Sequence, residues 1–473
     1  MKFILNNAVR NKLETVFKIL LLVYLFLGTC NLTYGTPIIS LVMYPTFLLG
    51  GLLVLWRLLV AKRFIKFPGL IWLVLMLVSY AFSAVMNFRY IGKNSIVVLI
   101  LWSFYFLLVF VKDPDRKRVD IEHEIRFVSS FYLICVTVLT LISHWMLITG
   151  YSVAYRDPNN ENYEVASGFF AGRLWGAFQD PNLGAVMCGI AIVISIFFMW
   201  YLKKKILTVL LCADIGLMLF YIALSDSRNG MVTLGCLAAM ALFFYSYRKY
   251  GKDKGFKGFL KKAACVIAAG VVFVGGAATP KLIQKAYNAV LVEEALNNPS
   301  DDKGDKNENK PLLVDRGYDL KEDVSNRRLT IWQSGIEIAM MRPFTGVSFE
   351  GLIPFAKEYV PDTYLLTNGV WEFNTLDNDY LNVFVAQGFP GVIVLVLLVI
   401  SVLKILFSGI WKVSKKNFPI IFISTVIVCS LVVSALFQGT MFYQQTPNTM
   451  LFWLLLGSVV YLLSLKDEAQ SEI

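Results

Sequence analysis

The sequence predicts an all-α polytopic membrane protein with about 12 transmembrane helices and one large extracytoplasmic helical loop. Three observations predict it. Of 473 residues, 57% are hydrophobic and only 16% are charged. A soluble domain is nearer about half apolar and about a quarter charged, so soluble enzymes, nucleic-acid binders and disordered scaffolds are excluded. Apolar stretches of bilayer-crossing length recur along the chain. The basic residues fall mostly on alternate connecting segments.

A spanning helix needs about 20 mostly apolar residues. Such stretches cover residues 15–31, 37–60, 67–86, 93–111, 127–149, 182–202, 206–224, 229–247, 263–279, 388–407, 417–437 and 447–465. The first reads as a span and not a cleaved leader, because the second follows within a few residues and no small-residue cleavage site separates them. With the N-terminus inside and strict alternation, inside segments hold 28 of the 44 Lys and Arg residues. Short outside loops hold only Arg89, Lys93, Arg156, Arg173 and Arg228. This is the positive-inside pattern, and it accounts for the net charge of +11 without nucleic acid. Both termini are expected in the cytoplasm. Three segments result: residues 1–279 with spans one to nine, residues 280–387 as the large loop, and residues 388–473 with the last three spans and a short tail.

The large loop opens with an amphipathic run, Lys281 to Leu296. Asn297 to Lys310 is polar and expected to be a flexible excursion. A second helical run carries Leu329, Trp332, Ile336 and Met340 at helical spacing, with Ser325 or Asn326 as N-cap and Pro343 after its end.

The seven cysteines lie in or at the ends of spans and have no metal spacing; they read as packed apolar side chains. With only His123 and His144, neither a histidine metal site nor a Ser-His-Asp triad is supported. No phosphate-binding lysine loop or dinucleotide glycine pattern appears, so an ATP-driven pump is not expected.

The chemistry concentrates on the outer side. Arg173 lies just before the sixth span, Arg228 lies in the turn Ser225-Asp226-Ser227-Arg228-Asn229-Gly230, and Arg327 and Arg328 open the helix of Trp332. A single arginine there reads first as snorkelling to lipid phosphate. Together, on a side poor in positive charge, they suit a phosphate ligand, which arginine holds in paired charge-assisted bonds. Asp180-Pro181-Asn182 places a capped helix N-terminus beside Arg173, a further place for an anion. Glu372, Asp377 and Asp379 cluster before the tenth span, where a carboxylate suits deprotonation of an acceptor hydroxyl. The bland alternative is a solvated acidic loop.

These blocks, in this order, resemble the O-antigen ligase and polysaccharide polymerase superfamily. The matching segments are Arg173 to Gly184, Ser227 to Gly230, Arg328 to Trp332 with Pro343 and Gly346, and Asp377-Asn378-Asp379-Tyr380-Leu381 with Gly388 to Gly391. The resemblance implies a GT-C-like membrane glycosyltransferase. Its donor is a glycan on undecaprenyl pyrophosphate at the outer face of the bacterial cytoplasmic membrane, and it needs no metal or other cofactor. It implies arginines that hold the pyrophosphate and a loop histidine that activates the acceptor. Here Asp377 stands at that histidine's place.

The resulting expectation is a polymerase of lipid-linked repeat units, for capsule, exopolysaccharide or O-antigen. Asp377, Arg228 and Arg328 are catalytic; Arg173, Asn182, Arg327, Trp332, Glu372, Asn378 and Asp379 bind substrate. The partners implied are undecaprenyl-pyrophosphate-linked oligosaccharides, the lipid bilayer, a flippase and a chain-length regulator. Ligation of a finished glycan to a terminal acceptor is the alternative, and a lipid-linked oligosaccharide flippase is the rival from another class.

Overall fold

A computed structural model describes residues 7–60, 65–90, 93–114, 116–157, 160–250, 252–297, 312–315, 327–367, 372–410, 413–414 and 417–465. In chain order the helices are α1 (Asn7–Gly28), α2 (Pro37–Leu59), α3 (Leu70–Met86), α4 (Lys93–Phe104, continued by a π turn Tyr105–Phe110) and α5 (Arg118–Thr149). Then come α6 (Pro181–Leu202), α7 (Lys205–Ser225), α8 (Arg228–Tyr250), α9 (Gly255–Asn297) and α10 (Arg328–Met341). The last five are α11 (Leu352–Tyr359), α12 (Tyr364–Thr367), α13 (Asp379–Gly409), α14 (Phe418–Ser434) and α15 (Pro447–Ser464). Among the described residues, eight helices are long and apolar enough to cross a membrane, and three shorter ones are comparably apolar. The protein is therefore an all-α polytopic membrane protein.

Two features depart from the sequence expectation. Residues 152–176 hold a three-stranded antiparallel sheet, β1 (Ser152–Asp157), β2 (Asn160–Phe170) and β3 (Arg173–Gly176), in the order β1-β2-β3. Its β-branched and aromatic residues favour strands. Ala171 and Gly172, both at positive φ, make the tight turn that returns β2 into β3. In addition, α9 is one helix of 43 residues through Pro280, so the run from Lys281 continues the ninth span. Ser325, Asn326 and the polar stretch beyond Asn297 lie outside the described residues.

The chain forms two compact units. The second comprises Thr29–Leu32 and Leu133–Asn326. Within it α6 is buried along nearly its whole length against α7 and α8. Gly235 of α8 meets Gly276 of α9, the close approach that small residues permit between spans.

The first unit comprises Met1–Gly28, Thr33–Tyr132 and Arg327–Ile473. Its large-loop helices have an apolar core of their own, with Ile331, Ile338, Phe355, Leu365, Leu376 and Val385 buried together. Helix α13 bends at Gly388, whose φ of 65° and ψ of −162° suit only glycine. A Cβ there would stand 2.4 Å from the Pro343 carbonyl oxygen. That oxygen accepts the Phe389 amide at 2.7 Å, so the Pro343–Gly346 and Gly388–Gly391 motifs meet. Ser83 Oγ donates to the Ala386 carbonyl at 2.5 Å, and Ser348 N donates to the same carbonyl at 3.1 Å.

The same unit buries a charge network that sequence alone reads as exposed inner-loop charge. Arg10, Glu14, Lys18, Arg57, Lys112, Asp113, Arg116 and Glu124 are all buried. Glu124 takes Lys18 at 2.5 Å, Lys112 at 3.2 Å and Arg116. Arg57 donates to both oxygens of Glu14 at 3.2 Å, and Arg10 pairs with Asp113.

Candidate functional site

Each unit carries its own part of the residues singled out from the sequence. In the second unit, Arg173 opens β3 directly after the Ala171-Gly172 turn, and its guanidinium lies 5.2 Å from the Trp175 ring centre. Gly172 N-terminal to it accepts the Asp315 amide at 3.1 Å. The start of α6 is capped by its own sequence: Asp180 Oδ1 accepts the amides of Asn182 at 2.6 Å and Leu183 at 3.0 Å. Those two N–H groups are therefore engaged by a carboxylate, and the expected anion place at this terminus is already occupied by Asp180.

Arg228 is the first residue of α8. The turn before it is set by Asp226, at positive φ, and by Ser227 Oγ, which accepts the Gly230 amide at 3.0 Å. Lys281 of α9 holds Asp226 at 2.8 Å. Sequence reasoning passed over Lys281, because its partner is 55 residues away.

In the first unit, Arg327 precedes α10 with a φ of 65°, a conformation that a non-glycine residue holds only at a cost. Arg328 follows. Its Nη2 donates to the Phe437 carbonyl at 3.2 Å, and its guanidinium lies 5.9 Å from the Phe437 ring centre. Its Nε is buried without a hydrogen-bond partner. Trp332, one turn on, donates through Nε1 to the Leu376 carbonyl at 3.0 Å. This bond fixes the acidic segment against α10. Trp332 is thus a clamp on the backbone next to Asp377.

The acids and their neighbours differ sharply in setting. Asp377 is partly exposed and sits at a φ of 50°. Asn378 is the N-cap of α13, with Oδ1 accepting the amides of Tyr380 at 3.0 Å and Leu381 at 3.1 Å. Asp379 is wholly buried, and its Oδ2 accepts the amides of Thr440 and Met441, each at 2.7 Å. Glu372 is paired with Lys357 at 2.6 Å. Asn382 ties the segment internally, accepting the Leu376 amide at 3.1 Å and donating to Thr375 Oγ1 at 3.1 Å. At the rim, Tyr90 donates to Glu358 at 2.7 Å, and that bond to the carboxylate pushes the phenol up to about 12.

The structure thus joins Arg328, Trp332 and the 372–382 segment. Arg328 and Asp379 both bond to the α14–α15 connection, residues 435–446, which the sequence reading did not single out. Among the described residues no three His, Cys, Asp or Glu side chains gather as metal ligands would.

A family model described as O-antigen ligase matches residues 215–396. That segment is similar to the O-antigen ligase family. The matched range holds Arg228, Arg327, Arg328, Trp332, Glu372, Asp377, Asn378 and Asp379, and leaves out Arg173 and Asn182. The chain is also similar to an uncharacterized protein of Haemophilus influenzae, 23% identical over 340 residues, which are 67% of this chain and 73% of that protein. The O-antigen ligase match and the apolar helices together support a bacterial membrane protein that processes glycans, of glycosyltransferase-like type.

Proposed function

We propose that the protein polymerises undecaprenyl-pyrophosphate-linked oligosaccharide repeat units into a surface polysaccharide at the outer face of the cytoplasmic membrane. The observation that carries this reading is Arg328. Its guanidinium is held by a neutral carbonyl and a ring, with Nε unpartnered. Its positive charge therefore remains available to an anion, and a diphosphate is the anion that arginine grips best.

In this reading Arg328 binds the donor diphosphate. Asp377 takes the proton of the acceptor sugar hydroxyl, whose oxygen attacks the donor anomeric carbon. The bond from that carbon to the pyrophosphate oxygen breaks, and undecaprenyl pyrophosphate leaves with its charge stabilised by arginine. Of the three acids, Asp377 suits the role best, since Asp379 is buried and Glu372 is neutralised by Lys357. Ligation of a finished glycan uses the same chemistry, and the description of the matching family keeps it as the second reading.

The test is reconstitution of the purified protein with lipid-linked repeat units. Chain extension is expected. Asp377→Asn should slow it by about 10²–10⁴-fold, the usual contribution of a positioned base, with unchanged protein level. Movement of substrate between leaflets without extension would overturn the reading in favour of a flippase.

A further inference from the structure

We propose that Asp379 is a positioning residue that sets the place of the Arg328 guanidinium through the 435–446 connection. The inference rests on the reading of Arg328 as a diphosphate ligand.

Asp379 is wholly buried, so it meets no substrate itself. Its bonds all run to one segment. Its own amide donates to the Ala435 carbonyl at 2.9 Å, and its Oδ2 accepts the amides of Thr440 and Met441. Asp379 therefore grips both ends of residues 435–441. Phe437 lies between those ends, and its carbonyl receives Arg328 Nη2.

The segment needs such a grip. It is mostly buried and follows no regular ladder, so its amides require partners from elsewhere. The later part has further anchors. Trp453 Nε1 donates to the Met441 carbonyl at 2.7 Å, Trp102 Nε1 donates to Phe442 at 2.9 Å, and Gln387 Nε2 donates to Tyr443 Oη at 2.6 Å. The part holding Phe437 is tied by the turn bonds of Leu436 and Phe437, by Thr440 Oγ1 donating to the Leu431 carbonyl, and by Asp379. One acceptor oxygen does this work, because Oδ1 has no partner. An amide side chain in the same place would keep that oxygen; a methyl would orphan two buried amides.

The experiment uses the full-length protein in detergent, with inorganic pyrophosphate as the binding probe and chain extension as the second readout. Asp379→Ala should weaken pyrophosphate binding by about tenfold, within the range seen for coupled neighbours. It should raise the donor KM while leaving kcat nearly unchanged. Asp379→Asn should restore wild-type behaviour. In an Arg328→Ala background, Asp379→Ala should add nothing. Trp453→Phe loosens the same segment from its other side, and should weaken pyrophosphate binding in the same Arg328-dependent way if Asp379→Ala does not fold. Additive losses in the double variant, or an Asp379→Asn as impaired as Asp379→Ala, would overturn the positioning role. If Arg328→Ala leaves pyrophosphate binding intact, the diphosphate reading itself fails. If Arg328→Ala weakens binding while Asp379→Ala and Trp453→Phe do not, only this inference fails.

Discussion

Arg57 and Arg328 belong to the same unit, and each guanidinium donates to backbone carbonyls. Arg57 reaches Leu107 and Val111, and then also both oxygens of Glu14. Arg328 reaches Phe437 and has no carboxylate among its described partners. Around Arg57 the positive charge is answered by Glu14 and Asp113 inside a buried network. Around Arg328 it is answered, among the described residues, by a dipole and a ring face. A buried charge is tolerable when paired, so the first arrangement is structural. The second leaves a cation in search of an anion, which is what a diphosphate site requires. The difference also revises the meaning of the basic residues near the N-terminus. The sequence reads them as inner-side loop charge, yet Arg10, Lys18 and Arg57, like Lys112 and Arg116 further along the chain, are buried.

The contrast is broken most severely at Glu124. Glu124→Ala leaves Lys18, Lys112 and Arg116 buried around a missing partner. A loss of about 3–5 kcal/mol is expected, read as a collapse of thermal stability in detergent. A wild-type melting curve would show that the network is not structural. Arg328→Ala is the mirror experiment. Chain extension should fall by about 10²–10³-fold, as for removal of a charge-stabilising donor, with the melting curve unmoved. A large drop in stability there would place Arg328 with Arg57. Gly388→Ala forces a Cβ against Pro343 in a glycine-only conformation. It should cost about 1–3 kcal/mol and lower activity by disturbing the backbone beside the acids. The smallest effect belongs to Lys357→Met. Its pairing with Glu372 is half-exposed, so stability should change by less than about 1 kcal/mol.

Much of the fold was legible because crossing a bilayer imposes length and composition. Each apolar stretch lies on a helix. The sheet at residues 152–176 was not, since Val153, Tyr155 and Val165 alternate over too short a run to stand out in a loop. The arginines and Asp377 were legible through charge and position. Asn378 and Trp332 were found as residues, but their tasks are capping and clamping, which depend on backbone partners. The 435–446 connection was invisible for the same reason. It acts through carbonyls and amides, which every residue possesses, so its side chains carry no signal. The ion pairs of Glu124 escaped because they join α1, α5 and the segment between α4 and α5.

The bend in α13 has a consequence for motion. A break in a spanning helix releases backbone groups, and within a bilayer these survive only if protein takes them up. Here the Ala386 carbonyl is taken by Ser83 and Ser348, and the Phe389 amide by Pro343. These partners belong to α3 and to the segment after α10. The bend is therefore a welded joint, and the stretch from Asp379 to Gln387 cannot swing on it as a lid would.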